Sequence, residues 1–136
     1  YGTGETYKEI LDYQLQTLTL VDTQIATSTG TLDTSVGPAA AVTFGAYTDS
    51  CSGKFMVEIK DDSATQRRQY SEVSYLVSAD GNDIYYTENN KLYTDVVLCD
   101  VTVDIVSNNI QVNINDATSS STTVYTIKVV NHNIQA

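Results

Sequence analysis

Two glutamates, Glu72 and Glu88, are the residues best placed for acid–base chemistry, because they fall on segments that read as neighbouring strands of a hairpin. Glycoside hydrolysis needs a carboxylic acid and a carboxylate facing each other across a cleft. Nothing in the sequence fixes their separation. Carboxylates in surface or structural networks are far commoner, so this pair is read as structural. Hard oxygen ligands suited to calcium sit on turns at Asp61-Asp62 and Asp80-Gly81-Asn82-Asp83, without the full EF-hand spacing. His132 is the single histidine. No partners for a triad or a His-based metal centre can be placed around it, and it reads as a surface residue at a strand end. No GxSxG, P-loop or GxGxxG motif is present.

Cys51 and Cys99 are far apart and form neither a CxxC pair nor a zinc pattern. They would form one disulfide in an extracellular protein. As two small buried apolar residues they would stay unpaired, and this second reading is favoured. Residue types thus assign no catalytic residue, cofactor or metal, and a non-enzymatic role is expected.

The elements that would carry these side chains are mostly strands. The 136 residues suit one domain with one core, and 41% are apolar. Thr, Val, Ile and ten Tyr dominate while Trp is absent, a composition that fits a pleated, half-buried surface. Seven basic residues face 17 acidic ones, a net charge of −10. Such a field repels nucleic acid, whose binding rests on phosphate neutralisation by Lys and Arg. The one basic cluster, Arg67-Arg68, reads as a solvated loop tip. No apolar run is long enough for a membrane helix, and no basic start leads into an apolar signal segment. The chain starts with Tyr, which points to a processed chain or to one module of something longer.

Thr6–Gln16 has a helical pattern. Thr6 and Glu9 have capping-box spacing, and Tyr7, Ile10, Leu11 and Leu15 make one apolar stripe. A helix of about three turns is marginal alone, so the stripe is expected to rest on the domain or on a neighbouring subunit. Residues 1–17 are therefore a helical arm whose Tyr7, Ile10, Leu11 and Leu15 are the candidate assembly interface. Residues 18–136 are the β domain. Within it, 17–26 is strand-like, and STGTLDTSVGP is a loop or a weakly paired edge. Ala39–Tyr47 is a short strand. Phe55, Val57 and Ile59 alternate with polar neighbours, and Gln69–Ser78 is a strand whose buried face is ambiguous. Asp80-Gly81 marks a hairpin. Asp83–Glu88 returns, and Asn89-Asn90 turns again. Val101–Ile105, Ile110–Ile114 and Thr123–Val130 alternate in the same way, separated by turns at 107–109 and 116–122. Strands joined by short polar turns, without crossover helices, predict a mainly β fold. The architecture expected is an antiparallel β-sandwich, jelly-roll or Ig-like, with a short N-terminal helix.

The runs KFMVEIKDDSATQRRQYSEVSYLVSADGNDIYYTENN, DVTVDIVSNNIQVNIN and TTVYTIKVV resemble a β-sandwich module of tailed-phage virion proteins, in particular the fibre, baseplate and decoration modules of cyanophage-type myoviruses. The pattern K-x-x-V-x-I falls at Lys54–Ile59, Q-x-S-E-V at Gln69–Val73, and the D-G hairpin at Asp80-Gly81. Y-x-T-E follows at Tyr85–Glu88 and N-I-Q-V at Asn109–Val112. VDTQIATSTGTLDTS is similar to the opening strand of that module, so the resemblance covers about residues 20–134. It implies a virion component (a decoration, collar, tail or fibre module) that partners other virion proteins and copies of itself. It implies no catalytic residues. The other reading is a carbohydrate-binding or adhesin-like module on a cell surface, with Tyr85, Tyr86 and Tyr93 as platforms for a host-surface glycan. Against it stand the absence of Trp and the habit of strand tyrosines to pack in cores.

Overall fold

A computed structural model describes residues 17–20, 22–46, 48, 50–63 and 66–135. The expected helical arm with Tyr7, Ile10, Leu11 and Leu15 lies outside the described residues. Nine strands follow one another: β1 (Thr17–Leu20), β2 (Thr23–Asp33), β3 (Ala39–Ala46), β4 (Ser50–Asp61), β5 (Arg68–Val77), β6 (Ile84–Tyr93), β7 (Cys99–Val106), β8 (Asn109–Asp116) and β9 (Val124–Gln135). They form two sheets. The larger has the order β1-β2-β9-β4-β5-β6 and the smaller β3-β8-β7, with antiparallel pairing throughout. The mainly β, antiparallel expectation holds. No helix among the described residues is long and apolar enough to cross a membrane.

Alternation decides which face each strand buries. Phe55, Val57 and Ile59 of β4, Tyr125, Ile127 and Val129 of β9, and Val112 and Ile114 of β8 are all buried in one core shared by both sheets. Aromatic rings cross it: Phe44 of β3 lies 5.3 Å from Phe55, which stacks on Tyr75 of β5 at 4.6 Å.

Three expectations are corrected. Residues 28–33 are not a loop: they continue β2 and pair with β9 from Ser28↔Val129 to Asp33↔Val124. Of the inward positions there, Ser28 and Gly30 are small and only Leu32 is large, so no apolar alternation announces them. At Gly30 an added Cβ would lie 3.0 Å from Val42 Cγ2 on β3, and the missing side chain lets the two sheets approach. The edge part of that reading does apply, since β1 covers only Thr23–Ala26. Second, Asn89-Asn90 does not turn. β6 runs through it, and a β-bulge absorbs one residue between Val73↔Glu88 and Glu72↔Asn90. Third, Arg67 is not part of a solvated tip, because its guanidinium is turned onto the buried Asp61.

The two ends of the core are built differently. Where β2, β4 and β8 finish and β5, β7 and β9 begin, polar side chains close the gap between sheets. Buried Gln69 donates from Nε2 to the Cys99 carbonyl at 2.8 Å, and its Oε1 accepts from the amides of Leu98 at 2.7 Å and Cys99 at 3.1 Å. It thereby adds one rung between β5 and β7. Asp61, fully buried, accepts Arg67 Nη2 at 2.8 Å and Nε at 3.0 Å on Oδ2, and the Ser63 amide at 2.8 Å on Oδ1. Asp116 accepts Thr118 Oγ1 at 2.7 Å, the Ser120 amide at 2.9 Å and the Tyr125 hydroxyl at 3.1 Å. This is the closed end. At the opposite, open end, two-residue turns serve where they must: Ser107 and Asn108 both take positive φ, as a tight hairpin requires. There the smaller sheet does not fill the space beside β2 and β9. A cavity of about 360 Å³ remains, lined by Gln24, Ser28, Thr43, Phe44, Asn131 and Asn133 among others.

Candidate interaction surface

The β5–β6 hairpin forms one margin of the larger sheet. Register assigns its faces. Val73 and Tyr75 point into the core, so Glu88 and Tyr86, directly opposite them, lie on the inner side. Tyr70, Glu72, Ser74 and Leu76 point outward, opposite Leu92, Asn90, Thr87 and Tyr85. Glu72 and Glu88 therefore project from opposite faces of one sheet. No substrate bond can lie between them, and the acid–base pairing considered from sequence is excluded by geometry.

Each glutamate has its own partners. Glu72 Oε1 accepts the Tyr70 hydroxyl at 2.9 Å and pairs with Lys54 Nζ at 3.3 Å. These two contacts hold its carboxyl below the usual range, Tyr70 contributing most. Burial, followed by the Glu72 bond, pushes the Tyr70 hydroxyl up. Glu88 Oε1 lies 3.1 Å from Lys91 Nζ, which also reaches Asp100 of β7 at 3.6 Å and so links the sheets at this margin. Glu88 Oε2 is the buried side-chain oxygen without a hydrogen-bond partner among the described residues.

The outer face carries two shallow apolar hollows. One, of about 310 Å³, is bounded by Leu76, Tyr85 and Tyr86 together with Ser74, Tyr75 and Thr87. The other, of about 240 Å³, lies at the far end of the hairpin between Tyr70, Leu92 and Tyr93, next to Glu58 and Arg68. Tyr85 is 62% exposed, Leu92 59%, Leu76 56% and Tyr93 50%. Beyond β6 the sheet has no further strand among the described residues. Exposed large apolar residues beside an unpaired strand edge mark a surface suited to another chain.

Other sequence candidates fall elsewhere. His132 is exposed within β9, opposite Lys54 and Ile25 on the outer face, rather than at a strand end. The calcium candidates are engaged by protein donors. Asp61 holds Arg67, Asp62 accepts Thr126 Oγ1 at 2.6 Å, and Asp80 accepts Ser78 Oγ at 2.6 Å and the Asn82 amide at 3.1 Å. Among the described residues no three His, Cys, Asp or Glu side chains gather as a metal site. Cys99 is buried and free at the closed end, its thiol pushed up to about 12, chiefly by burial and then by Asp116 and Asp100. Cys51 is the second residue of β4, eight positions before Ile59, which pairs with the Gln69 that grips the Cys99 backbone. At about 3.3 Å per residue the strand separates the two cysteines by roughly 25 Å, far beyond disulfide reach.

The tyrosines of β6 were visible in the sequence, but their faces were not: Tyr85 lies on the outer side of the sheet, Tyr86 and Tyr93 on the inner. Reading Asn89-Asn90 as a turn cut the strand in half and hid its length. Nothing in the sequence singles out Gln69 as a clip between sheets.

No protein-family model and no curated protein match the sequence. Solved structures that do match include the crystal structure of the Acinetobacter phage vB_ApiP_P1 tailspike protein. The two are 16% identical, the match covers 82% of this chain and 22% of the tailspike, and the TM-score is 0.48. This chain thus spans less than a quarter of the tailspike's length. At that identity and TM-score the likeness assigns neither a family nor an activity.

Proposed function

We propose that this protein is a structural component of a bacteriophage virion, a decoration, collar, tail or fibre module, and that it acts by assembly with other virion proteins and with copies of itself rather than by catalysis. The observation that carries this reading is how the residues of the virion-module pattern are used. Lys54 of K-x-x-V-x-I pairs with Glu72 of Q-x-S-E-V. Gln69 of the same motif donates to its Ser71 at 3.2 Å and clips β7. Val57, Ile59 and Val73 fill the core. The pattern thus encodes a framework between sheets, and what the resemblance transfers is a displayed shape rather than a reaction. The exposed margin at β6 supports assembly as the mode of action. The segment outside the described residues is assigned the same task through Tyr7, Ile10, Leu11 and Leu15: deleting residues 1–16 should weaken assembly and leave the melting temperature of the monomer unchanged. Mass spectrometry of purified particles tests the main reading. A copy number stoichiometric with known virion proteins is expected, and absence from washed particles removes the proposal.

A second reading, a carbohydrate-binding or adhesin-like module, is favoured by the exposure of Tyr85, Tyr86 and Tyr93. Stacked sugar rings use such platforms. Glycan binding that disappears in Tyr85→Ala and Tyr93→Ala would select it.

A further inference from the structure

We propose that the free edge of β6 is a self-association site, where β6 of one copy pairs antiparallel with β6 of a second copy about a two-fold axis at the bulge. The two six-stranded sheets would then join into one continuous sheet. This inference names the surface for the self-assembly proposed above and rests on that reading.

The first argument is backbone chemistry. β6 is ten residues long and, among the described residues, bonded on one side only, so its outer amides and carbonyls form a ready template. Proteins blunt such edges with short strands, prolines or edge lysines. β1, at the opposite margin, is a four-residue strand. β6 contains no proline, and its lysine, Lys91, is drawn to the inner side by Glu88 and Asp100.

The second argument is symmetry. Four residues lie on each side of Glu88-Asn89, the pair at the bulge: Ile84–Thr87 before it and Asn90–Tyr93 after it. A two-fold axis at the bulge lays the first run of one copy on the second run of the other. Paired residues must share a face. The bulge also changes the alternation, so that Tyr85 and Leu92 both point outward. Tyr85 therefore meets Leu92 of the second copy. Leu76, already opposite Tyr85, and Tyr70, already opposite Leu92, extend this into a row across four strands. The two hollows, at opposite ends of the hairpin, become neighbours twice over. An isologous contact of this kind closes on itself.

The third argument is charge. The chain carries −10, yet the charges of β6 itself, Glu88 and Lys91, cancel. Beyond the paired runs, the acidic hairpin tip with Asp80 and Asp83 comes alongside the second copy's Arg68, which borders the far hollow. The paired β6 strands themselves therefore bring no net charge together.

Sedimentation equilibrium of the full chain between 1 and about 200 μM tests this. A monomer–dimer equilibrium is expected. Leu92→Lys and Tyr85→Lys should each weaken it at least tenfold, with melting temperature and far-UV circular dichroism unchanged because both side chains are exposed. Asn89→Cys, placed at the axis, should give a disulfide-linked dimer on mild oxidation. A wild type that stays monomeric over the whole range overturns the inference. So does a dimer that both lysine variants leave intact; in that case self-assembly stands and its surface lies elsewhere. The virion reading is judged separately, by the particle mass spectrum.

Discussion

The closed and open ends of the core solve one problem in two ways. Both must end a sandwiched apolar layer without leaving backbone groups stranded. The closed end does so with side chains that replace missing rungs: Gln69 satisfies three backbone groups at the start of β7 and just before it, and Asp61 and Asp116 gather the amides and hydroxyls of the loops behind them. The open end relies on shape. Phe44, Phe55 and Tyr75 stack there, one buried contact runs from the Tyr75 hydroxyl to Asn131 Oδ1 at 2.9 Å, and the remaining gap stays as a cavity. Polar closure is specific but costly to disturb, because every orphaned buried group loses its full hydration. Closure by shape tolerates the loss of a polar atom and fails on added volume.

The comparison predicts an order of sensitivities. Gln69→Leu should cost most, about 4 kcal/mol, since it strands the amides of Leu98 and Cys99 and the Cys99 carbonyl at once. Urea unfolding measures this, and a cost near 1 kcal/mol would mean that water enters and the clip is dispensable. Gly53→Ala at the open end should follow, at about 3 kcal/mol. An added Cβ would sit 2.5 Å from the His132 carbonyl oxygen and 2.8 Å from Asn133 Cα, both backbone atoms of β9 that cannot step aside. Arg67→Ala should cost about 2 kcal/mol, less than a fully enclosed pair because the arginine is partly exposed, yet appreciable because it leaves the buried Asp61 charge without its cation. Asn131→Val should be mildest, about 1 kcal/mol, removing one hydrogen bond beside a cavity that water can reach.

Acid should act on the two ends unequally. Burial alone would raise the Asp61 carboxyl, but the Ser63 amide and hydroxyl and Arg67 together hold it below its ordinary 3.8. Asp116 is likewise depressed: burial opposes, and bonds from Thr118, Ser120 and Tyr125 prevail. A carboxyl whose folded pKa lies below its unfolded one contributes stability above pH 3.8 that is lost as pH falls below it. Asp80, at the open end, is also lowered, first by Ser78, but water screens that exposed turn. Amide exchange followed down from pH 5 should therefore show protection lost first around Leu98, Cys99 and Ser120. Loss beginning around residues 107–109 instead would reverse the assignment of the two ends.

What the sequence made legible follows the same division. Strands with alternating large apolar residues, such as Phe55–Ile59 and Ile110–Ile114, were legible because burial on one face leaves a period of two. β5 was ambiguous because half of its inward face is polar: Gln69 and Ser71 face the core alongside Val73 and Tyr75. The Gln69 hydrogen bonds run to Leu98 and Cys99, about 30 residues away, and no local pattern encodes them. The second half of β2 was missed for the opposite reason, since its inward Ser28 and Gly30 are small where β3 comes close and Leu32 alone makes no alternation. The tyrosines of the candidate surface could be named in advance. Their faces depend on a bulge, which a pair of asparagines disguises as a turn: it sets Tyr85 outward with Leu92 and leaves Tyr86 and Tyr93 on the inner side.

Cys99 sits against the clip that closes one end, and this gives the protein an internal clock. A thiol reacts through its thiolate, and this one is both shielded and held protonated. Alkylation at Cys99 can therefore proceed only during the moments when β7 parts from Gln69. The rate at which that single sulfur acquires a label counts those moments. Read by mass spectrometry on free chains and on assembled ones, the count would show how far fastening the margin at β6 slows the breathing of a core that Gln69 helps to hold shut.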